Sequence, residues 1–311
     1  MRNLAASPAP SFVKIVDVAP RDGLQNERQV VSAATKIELV RLLQEAGLRE
    51  IEVTSFVSPK WVPQMADAPQ VMAGIERRAG VRHSVLTPNL KGWEAAAPTR
   101  PDEIVVFGAA SEAFSRKNIN CSVAESIDRF APVAAAARAA GVKVRAAISC
   151  ALGCPYEGAV APSRVGQIAR RMREIGVDHL GVADTLGVGT PLQVRAAMEA
   201  ALEHFPAAEV SGHFHDTYGQ ALANIHACLL MGISTFDASV GGLGGCPYAK
   251  GATGNVATED VVYMLHGMGI ETGIDLDKLV DAGAFISRAT GRPNGSRAAR
   301  ALLSRRGEAG A

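Results

Sequence analysis

The chain has 311 residues, of which 48% are hydrophobic and 20% charged, and its 32 basic and 31 acidic residues give a formal net charge of +1. Because the two signs are well interspersed, the composition argues against a nucleic-acid-binding surface and against a polybasic membrane patch. No apolar run is long enough to span a bilayer, and the N-terminal stretch MRNLAASPAPS lacks the apolar core of a secretory signal. We therefore expect a cytoplasmic globular protein with no membrane or nucleic-acid partner.

Short β-branched runs alternate with longer amphipathic segments along the chain. Eight runs are predicted to be strands, at residues 12–19, 49–55, 82–87, 103–108, 143–149, 178–184, 209–215 and 234–240. In the segments between them, such as 35–47, 125–141 and 163–176, apolar residues recur every three or four positions and a Gly closes the segment, as is typical of helices. Eight strand-helix units predict an α/β fold, a (β/α)8 TIM barrel of parallel strands with its active site at the C-terminal face.

The same pattern predicts one domain. We expect residues 1–11 to be a disordered N-terminal segment, residues 12–300 to form a single catalytic barrel with C-terminal helices, and residues 301–311 to be a flexible tail. No Gly-x-Gly-x-x-Gly follows the first run and no P-loop motif occurs anywhere, which argues against dinucleotide and P-loop nucleotide binding.

Two histidines at the end of the seventh run indicate a metal site. Alternate side chains of a strand share a face, so His213 and His215 point the same way, about 7 Å apart along the strand. Strands 7, 8, 1 and 2 are contiguous in a closed barrel. The C-terminal ends of strands 8, 1 and 2 supply further polar groups: Arg21, Asp22, Glu52, Cys246 and Asn255. Imidazoles together with carboxylate and amide oxygens suit Mg²⁺, Mn²⁺ or Zn²⁺ with positions left open for a substrate.

Four motifs resemble the 3-hydroxy-3-methylglutaryl-CoA lyase family of divalent-metal barrel enzymes. They are VAPRDGLQNE, IEVTSFVSPKWVPQM, SCALGCPYEG and SVGGLGGCPYAKGATGNVATED, and the match runs from about Lys14 to Arg300. The resemblance implies a carbon–carbon lyase that splits 3-hydroxy-3-methylglutaryl-CoA into acetyl-CoA and acetoacetate, as in leucine degradation and ketone-body formation. It also implies an acyl-CoA as partner and a homo-oligomer, a dimer or larger.

The resemblance assigns roles residue by residue. It implies a divalent cation, Mg²⁺ or Mn²⁺ with Zn²⁺ as a substitute, bound by four ligands: Asp22, His213, His215 and Asn255. It implies a catalytic group of four residues: Arg21, Glu52, Asp184 and Cys246. Retro-Claisen cleavage requires a base for the 3-hydroxyl, a positive group at the thioester oxygen and an acid for the enolate. We expect Glu52 or Asp184 to be the base, Arg21 the positive group and Cys246 the acid.

The acyl carrier needs a site at the rim of the barrel. The segment SRKNINCS after strand 4 offers Arg116, Lys117 and Asn118 to the phosphates or pantetheine of coenzyme A. A solvated basic loop is an equally good interpretation of Lys117.

Two residues depart from the family pattern. Ala147 stands where the family commonly has Tyr, at a predicted inward position of strand 5 that should touch the substrate, and Gly241 stands where the family usually has Ala. The larger space at Ala147 leaves open a related lyase acting on citramalyl-CoA or on a bulkier 3-hydroxyglutaryl-CoA. A condensing synthase of the isopropylmalate type, which usually adds a regulatory domain, and a non-catalytic acyl-CoA sensor are alternatives from other classes.

Each site residue also has a simpler structural interpretation. Buried strand histidines can bond to backbone, Asp22 and Asp184 can cap a turn or a helix, and Glu52 and Asp17 can form structural ion pairs.

Five cysteines are spread through the chain, an odd number that is typical of a reducing compartment and not of a disulfide framework. Among them, Cys150 and Cys154 have a metal-like spacing without a second Cys or His pair nearby, so packing is the simpler interpretation.

Overall fold

The computed structural model describes residues 9–27, 29–245 and 253–307. Eight parallel strands close into a barrel, which confirms the predicted (β/α)8 fold. They are β1 (Lys14–Asp17), β2 (Glu50–Ser55), β3 (Arg82–Leu86), β4 (Glu103–Ala109), β5 (Lys143–Ser149), β8 (His179–Asp184), β9 (Val210–Phe214) and β10 (Thr235–Ala238). A two-stranded antiparallel hairpin, β6 (Gly153–Cys154) and β7 (Gly158–Ala159), follows β5. Around the barrel the order is β1, β10, β9, β8, β5, β4, β3 and β2, so the strands that carry the predicted ligands are adjacent.

Helices surround the barrel wall. Their bounds are α1 (Ala33–Glu45), α2 (Ala68–Gly74), α3 (Leu90–Ala96), α4 (Glu112–Ile119), α5 (Val123–Ala139), α6 (Pro162–Glu174), α7 (Pro191–Leu202), α8 (Ala221–Leu229), α9 (Thr258–Gly267), α10 (Leu276–Thr290) and α11 (Arg297–Arg305). The predicted helix stops are confirmed at Gly47, Gly141 and Gly176, which adopt left-handed φ values of 99°, 75° and 86° just beyond α1, α5 and α6. None of the helices in these ranges combines the length and apolarity that a bilayer crossing needs.

The apolar core lies between the barrel wall and the helices. On β5 the outward residues Val144, Ala146 and Ile148 are fully buried and belong to this core. The alternate residues of the same strand face the barrel interior, where Arg145 is 3% exposed. The interior is therefore polar at this level, and its buried charges need partners to be stable.

Two segments differ from the boundaries expected from sequence. Strand β9 ends at Phe214, so His215 lies just beyond it and forms an isolated bridge with Asn255. Helix α11 continues to Arg305, inside the segment expected to be a tail, because the side chain of Leu303 is buried against Val280.

Candidate active site

Three of the predicted ligands lie together at the C-terminal mouth of the barrel. Asp22, in the helical turn Ala19–Gly23 after β1, meets His213 and His215, and one ligand atom from each lies within 4.8 Å of the others. The two imidazole centroids are 5.4 Å apart, and the ring planes are tilted by 42° to each other. The three residues are the one group of this kind found among the described residues.

Asn255 reaches the same cluster from the end of the Gly-rich segment. Its Nδ2 donates to Asp22 Oδ2 at 2.8 Å and to the Leu243 carbonyl at 3.2 Å. The segment passes close to itself here: a Cβ on Gly254 would lie 2.7 Å from the Gly244 carbonyl oxygen. Only glycine permits this approach, and the approach places the Asn255 side chain beside Asp22.

The donor set of the cluster fits a divalent cation. Asn255 Oδ1 and His215 Nδ1 are buried and have no hydrogen-bond partner among the described residues, which is costly for buried polar atoms. Burial lowers the pKa of His215 to about 4, so its imidazole is neutral at pH 7, as a metal ligand must be. Two imidazole nitrogens, an amide oxygen and a carboxylate are a suitable set for such an ion.

Arg21 is held rigidly next to the cluster. Its Nε donates to Glu52 Oε1 at 2.8 Å, its Nη2 to Glu52 Oε2 at 3.0 Å and its Nη1 to Asp22 Oδ1 at 2.7 Å. Burial opposes the charge on Arg21, but Glu52 and Asp22 raise its pKa above the ordinary value. Glu52 is 2% exposed and uses both oxygens on Arg21, so its contacts orient the guanidinium.

The carboxylate of Asp184 makes its hydrogen bonds within the loop after β8. Its carboxylate accepts from the backbone N–H groups of Val188 at 3.2 Å and Gly189 at 2.7 Å, so it organises the loop after β8 and does not cap a helix. Burial raises its pKa, although the loop N–H groups and the nearby His213 oppose this shift. Asp184 is thus close enough to the cluster to interact electrostatically with His213.

The buried carboxylate of Asp17 is stabilised by hydrogen bonds and not by an ion pair with Arg21. Its carboxylate accepts from the Ala19 N–H at 2.9 Å, from the Val240 N–H at 3.1 Å and from Thr258 Oγ1 at 2.7 Å. Burial raises its pKa to about 7, against these hydrogen bonds. Asp17 therefore ties β1 to the start of the Gly-rich segment.

Sequence reasoning missed two charged residues below the cluster. Asp237 on β10 accepts a hydrogen bond from His213 Nδ1 at 3.1 Å, and its other oxygen accepts from Arg145 Nη2 at 2.5 Å. The signal was present, because both residues occupy inward positions of predicted strands, where a charge is costly without a partner. Their pairing could not be deduced from one strand alone.

The predicted substrate contacts surround the mouth. Ala147 is half-buried on the inner face of β5, level with Gly181 on β8. Arg116, Lys117 and Asn118 belong to the last turn of α4 and not to a loop, and a helix C-terminus favours basic residues for its own stability. The Lys117 ammonium lies 3.9 Å from the ring centroid of Tyr156.

Cys246, the predicted acid, lies outside the described residues. Asn26 Nδ2 donates to the Gly245 carbonyl at 3.1 Å, so the loop after β1 contacts the residue that precedes Cys246.

An open depression of about 360 Å³ lies at the other end of the barrel and holds none of the predicted site residues. Its walls include Phe12, Lys14, Arg49 and Arg82, near the N-terminal ends of β1 to β3. Enzymes of this fold place their chemistry at the C-terminal face, so the size of this depression does not make it the active site.

Comparison with known proteins agrees with this geometry. A sequence model of the HMGL-like family matches residues 12–286. The chain is 57% identical over 296 residues to the 3-hydroxy-3-isohexenylglutaryl-CoA/hydroxy-methylglutaryl-CoA lyase of Pseudomonas aeruginosa, covering 95% of this chain and 99% of that protein. It is 53% identical over 292 residues to the human mitochondrial hydroxymethylglutaryl-CoA lyase, covering 94% and 90% of the two chains.

Solved structures show the same likeness. The crystal structure of hydroxymethylglutaryl-CoA lyase from Pseudomonas aeruginosa superposes with a TM-score of 0.93 at 57% identity, covering 96% of this chain and 99% of that one. An HMG-CoA lyase from Acinetobacter baumannii in complex with coenzyme A and 3-methylmalate has a TM-score of 0.89 at 33% identity, covering 96% and 95%.

Proposed function

The chain belongs to the HMGL-like family, and from that membership we propose that it cleaves 3-hydroxy-3-methylglutaryl-CoA into acetyl-CoA and acetoacetate. The observation that carries this proposal is the cluster of Asp22, His213 and His215 beside the fixed guanidinium of Arg21. The relative from Acinetobacter baumannii, which binds coenzyme A and 3-methylmalate, supports an acyl-CoA substrate. Relatives named as lyases match nearly the full length of the chain, which favours cleavage over a condensing synthase.

We assign four ligands to a divalent cation, Mg²⁺ or Mn²⁺: Asp22, His213, His215 and Asn255. The buried Oδ1 of Asn255 and Nδ1 of His215, which lack partners among the described residues, support this assignment. A divalent cation held there would lower the pKa of the substrate's 3-hydroxyl group. The four ligands come from segments after β1, β9 and β10 and within β9, so a closed barrel is required to assemble them.

Arg21 is the group that stabilises negative charge on the thioester oxygen. Three of its five N–H donors are used on Glu52 and Asp22, which leaves two donors in a fixed plane. Donors whose positions are fixed in advance stabilise charge that develops during the reaction, because they need not reorient. Glu52 acts through Arg21 in this account.

Asp184 is the better placed of the two candidate bases. Both oxygens of Glu52 accept from the charged guanidinium of Arg21, whereas those of Asp184 accept from uncharged backbone N–H groups, and burial raises the pKa of Asp184 above its ordinary value. Cys246 completes the reaction as the acid that protonates the departing enolate carbon, an assignment that rests on the motif GGCPYAKG. A thiol is mostly protonated at neutral pH and is able to donate.

The Pseudomonas aeruginosa relative carries a name with two substrates, one with a methyl and one with an isohexenyl group. The small residues Ala147 and Gly181 on one wall of the mouth favour the same breadth for this chain, because neither side chain would obstruct a longer 3-substituent. We therefore propose 3-hydroxy-3-alkylglutaryl thioesters with longer alkyl chains as second substrates.

We further propose a homo-oligomeric enzyme of leucine degradation in the cytoplasm. Large apolar side chains at the surface, among them Trp61 at 84% and Leu192 at 78% exposure, support self-association, which light scattering measures. Of the five cysteines, the four that the structure describes form no disulfide, as expected in a reducing compartment.

A direct assay tests the function. The purified protein with Mg²⁺ should convert 3-hydroxy-3-methylglutaryl-CoA to acetyl-CoA and acetoacetate in equal amounts. A chelator should abolish turnover and added Mg²⁺ should restore it. Failure to cleave any 3-hydroxy-3-alkylglutaryl thioester, with binding retained, would favour the acyl-CoA sensor.

A further inference from the structure

We infer that Asp237 is the positioning residue of His213: held by Arg145, it fixes the tautomer and orientation of the imidazole so that Nε2 faces the cluster. This inference rests on the proposed metal site and concerns a residue outside it. Asp237 lies within β10, and His213 is the one proposed ligand to which it is hydrogen-bonded among the described residues.

The geometry of the contact comes from strand pairing. His213 on β9 and Asp237 on β10 are direct partners in the parallel register, so their inward side chains lie next to each other. Asp237 Oδ2 is 3.1 Å from His213 Nδ1, and Asp237 is 7% exposed. Water therefore competes little for this hydrogen bond.

The carboxylate determines which imidazole nitrogen carries hydrogen. An ionised carboxylate only accepts hydrogen bonds, so His213 Nδ1 must be the N–H donor in the neutral ring. The lone pair of the ring is then on Nε2, at the opposite side from Asp237. That arrangement prepares Nε2 to bind a cation, since a ligating histidine commonly donates its other N–H to a carboxylate.

Arg145 keeps Asp237 ionised and in place. Its Nη2 donates to Asp237 Oδ1 at 2.5 Å and is itself held by Ser211 Oγ at 2.8 Å. Since His213 Nδ1 donates to Oδ2, each oxygen of Asp237 has its own donor. A buried carboxylate beside a buried guanidinium is stable as an ion pair because each charge compensates the other.

His215 has no equivalent support. Its Nδ1 is buried without a partner among the described residues, and its backbone is held by the bridge to Asn255. The two histidines are thus fixed in different ways, one through its side chain and one through its main chain. Loss of Asp237 should affect His213 alone.

Asp237→Asn tests the inference by a change of one atom. An amide offers one oxygen and one N–H₂ group, so with Arg145 Nη2 on the oxygen, His213 either loses its contact or accepts at Nδ1 as the Nε2–H tautomer, and both outcomes remove the preparation of Nε2. We expect Mn²⁺ affinity, measured by electron paramagnetic resonance on the purified protein, to fall about 10- to 100-fold with the circular dichroism spectrum unchanged. Wild-type affinity in this variant would overturn the inference.

Glu103→Gln is the matched control. Glu103 lies on β4 and interacts electrostatically with Arg145, as Asp237 does, but no hydrogen bond joins it to His213. Its Mn²⁺ affinity should equal that of the wild type. An equal loss in both variants would mean that interior charge, and not the orientation of His213, determines affinity, and would also overturn the inference.

A measurement on the wild-type protein decides the matter even if Asp237→Asn fails to fold. In metal-free protein above pH 8, long-range ¹H–¹⁵N spectra should show His213 as the Nδ1–H tautomer, with the resonance identified by its loss in His213→Ala. The Nε2–H tautomer would contradict the inference. If wild-type protein bound no Mn²⁺ but showed the Nδ1–H tautomer, the metal site would be wrong and the Asp237–His213 pair right.

Discussion

Arg21 and Glu52 form a bidentate ion pair across adjacent strands, with Nε 2.8 Å from Oε1 and Nη2 3.0 Å from Oε2, although 31 residues separate them in the chain. A fork-to-fork contact fixes the plane of the guanidinium as well as its position. The orientation of Arg21 toward a substrate thus depends on a residue that we do not place against the substrate.

Glu52→Gln should therefore lower turnover while leaving substrate binding nearly intact. An amide offers one acceptor where Arg21 presents two donors, so the guanidinium loses its fixed plane, and we expect kcat to fall by about 10²-fold. Steady-state kinetics measures kcat and KM separately. Arg82 and Glu50 form a similar pair at the opposite end of the barrel, and Glu50→Gln should keep wild-type kinetics.

His213→Ala and His215→Ala should each lose metal affinity and nearly all turnover while the barrel stays folded. Each substitution removes one of four proposed ligands, and calorimetric titration with Mn²⁺ measures the loss. His226→Ala, at an exposed position of α8, is the control and should bind normally. Full activity in both site variants would refute the metal centre.

Ala147→Tyr should shift substrate preference toward the methyl substrate. The phenol would occupy the space above Arg145 that a longer 3-substituent requires, so the ratio of kcat/KM for methyl over bulkier analogues should rise. Competition assays with paired thioesters measure that ratio directly. An unchanged ratio would show that residue 147 does not line the pocket for the 3-substituent.

Cys246→Ser should keep metal and substrate binding but lose turnover by about 10²-fold or more, the usual range for a positioned acid. Wild-type enzyme should exchange the methyl protons of acetyl-CoA with deuterated solvent when acetoacetate is present, and the Ser variant should not. Cys228→Ala is the control, because burial raises the pKa of the Cys228 thiol well above its ordinary value and lowers its reactivity. Exchange that survives in the Ser variant would assign the acid elsewhere.

Glu259 should make stability depend on pH. Burial raises its pKa from 4.5 to about 8, while both oxygens accept from the Gly241 N–H at 3.0 Å. The folded chain then binds more protons than the unfolded chain between these values, so the free energy of unfolding should fall as pH rises from about 4.5 to 8. Asp17, with a pKa of about 7, acts in the same direction.

Thermal unfolding at several pH values checks this dependence. Glu259→Gln removes the titrating group, so its melting temperature should vary less between pH 5 and pH 8 than that of the wild type. Glu203→Gln, at the exposed end of α7, should retain the wild-type slope. A steeper slope in Glu259→Gln would contradict the sign worked out above.

The periodicity of the sequence was sufficient to predict the barrel, because eight strands alternate with helices that end at glycine. The pattern also predicted that Asp22, His213 and His215 lie together, since residues at the C-terminal ends of strands converge in a closed barrel. Local patterns could not show that His215 leaves the strand to pair with Asn255, because that bridge joins two segments whose approach depends on Gly244 and Gly254.

The buried pair of Arg145 and Asp237 was beyond sequence reasoning for a related reason. Each residue appears singly in an apolar run, and only the assembled barrel shows which opposite charge faces it. The contacts of Asp184 with the loop of five residues after it were also beyond sequence reasoning, because the two N–H groups that it accepts from have no signature in the sequence.

The ion pair between Arg145 and Asp237 also bears on how the chain folds during its synthesis. Its two residues are 92 positions apart, on strands made in the first and second halves of translation. Until β10 emerges from the ribosome, a compact intermediate would have to bury Arg145 without its hydrogen-bonded acid, with Glu103 as an electrostatic partner only, which is unfavourable. The first five strands are thus expected to remain loosely packed until the last one arrives, so the barrel closes late and as a unit, and fragments that end before Asp237 should depend on chaperones.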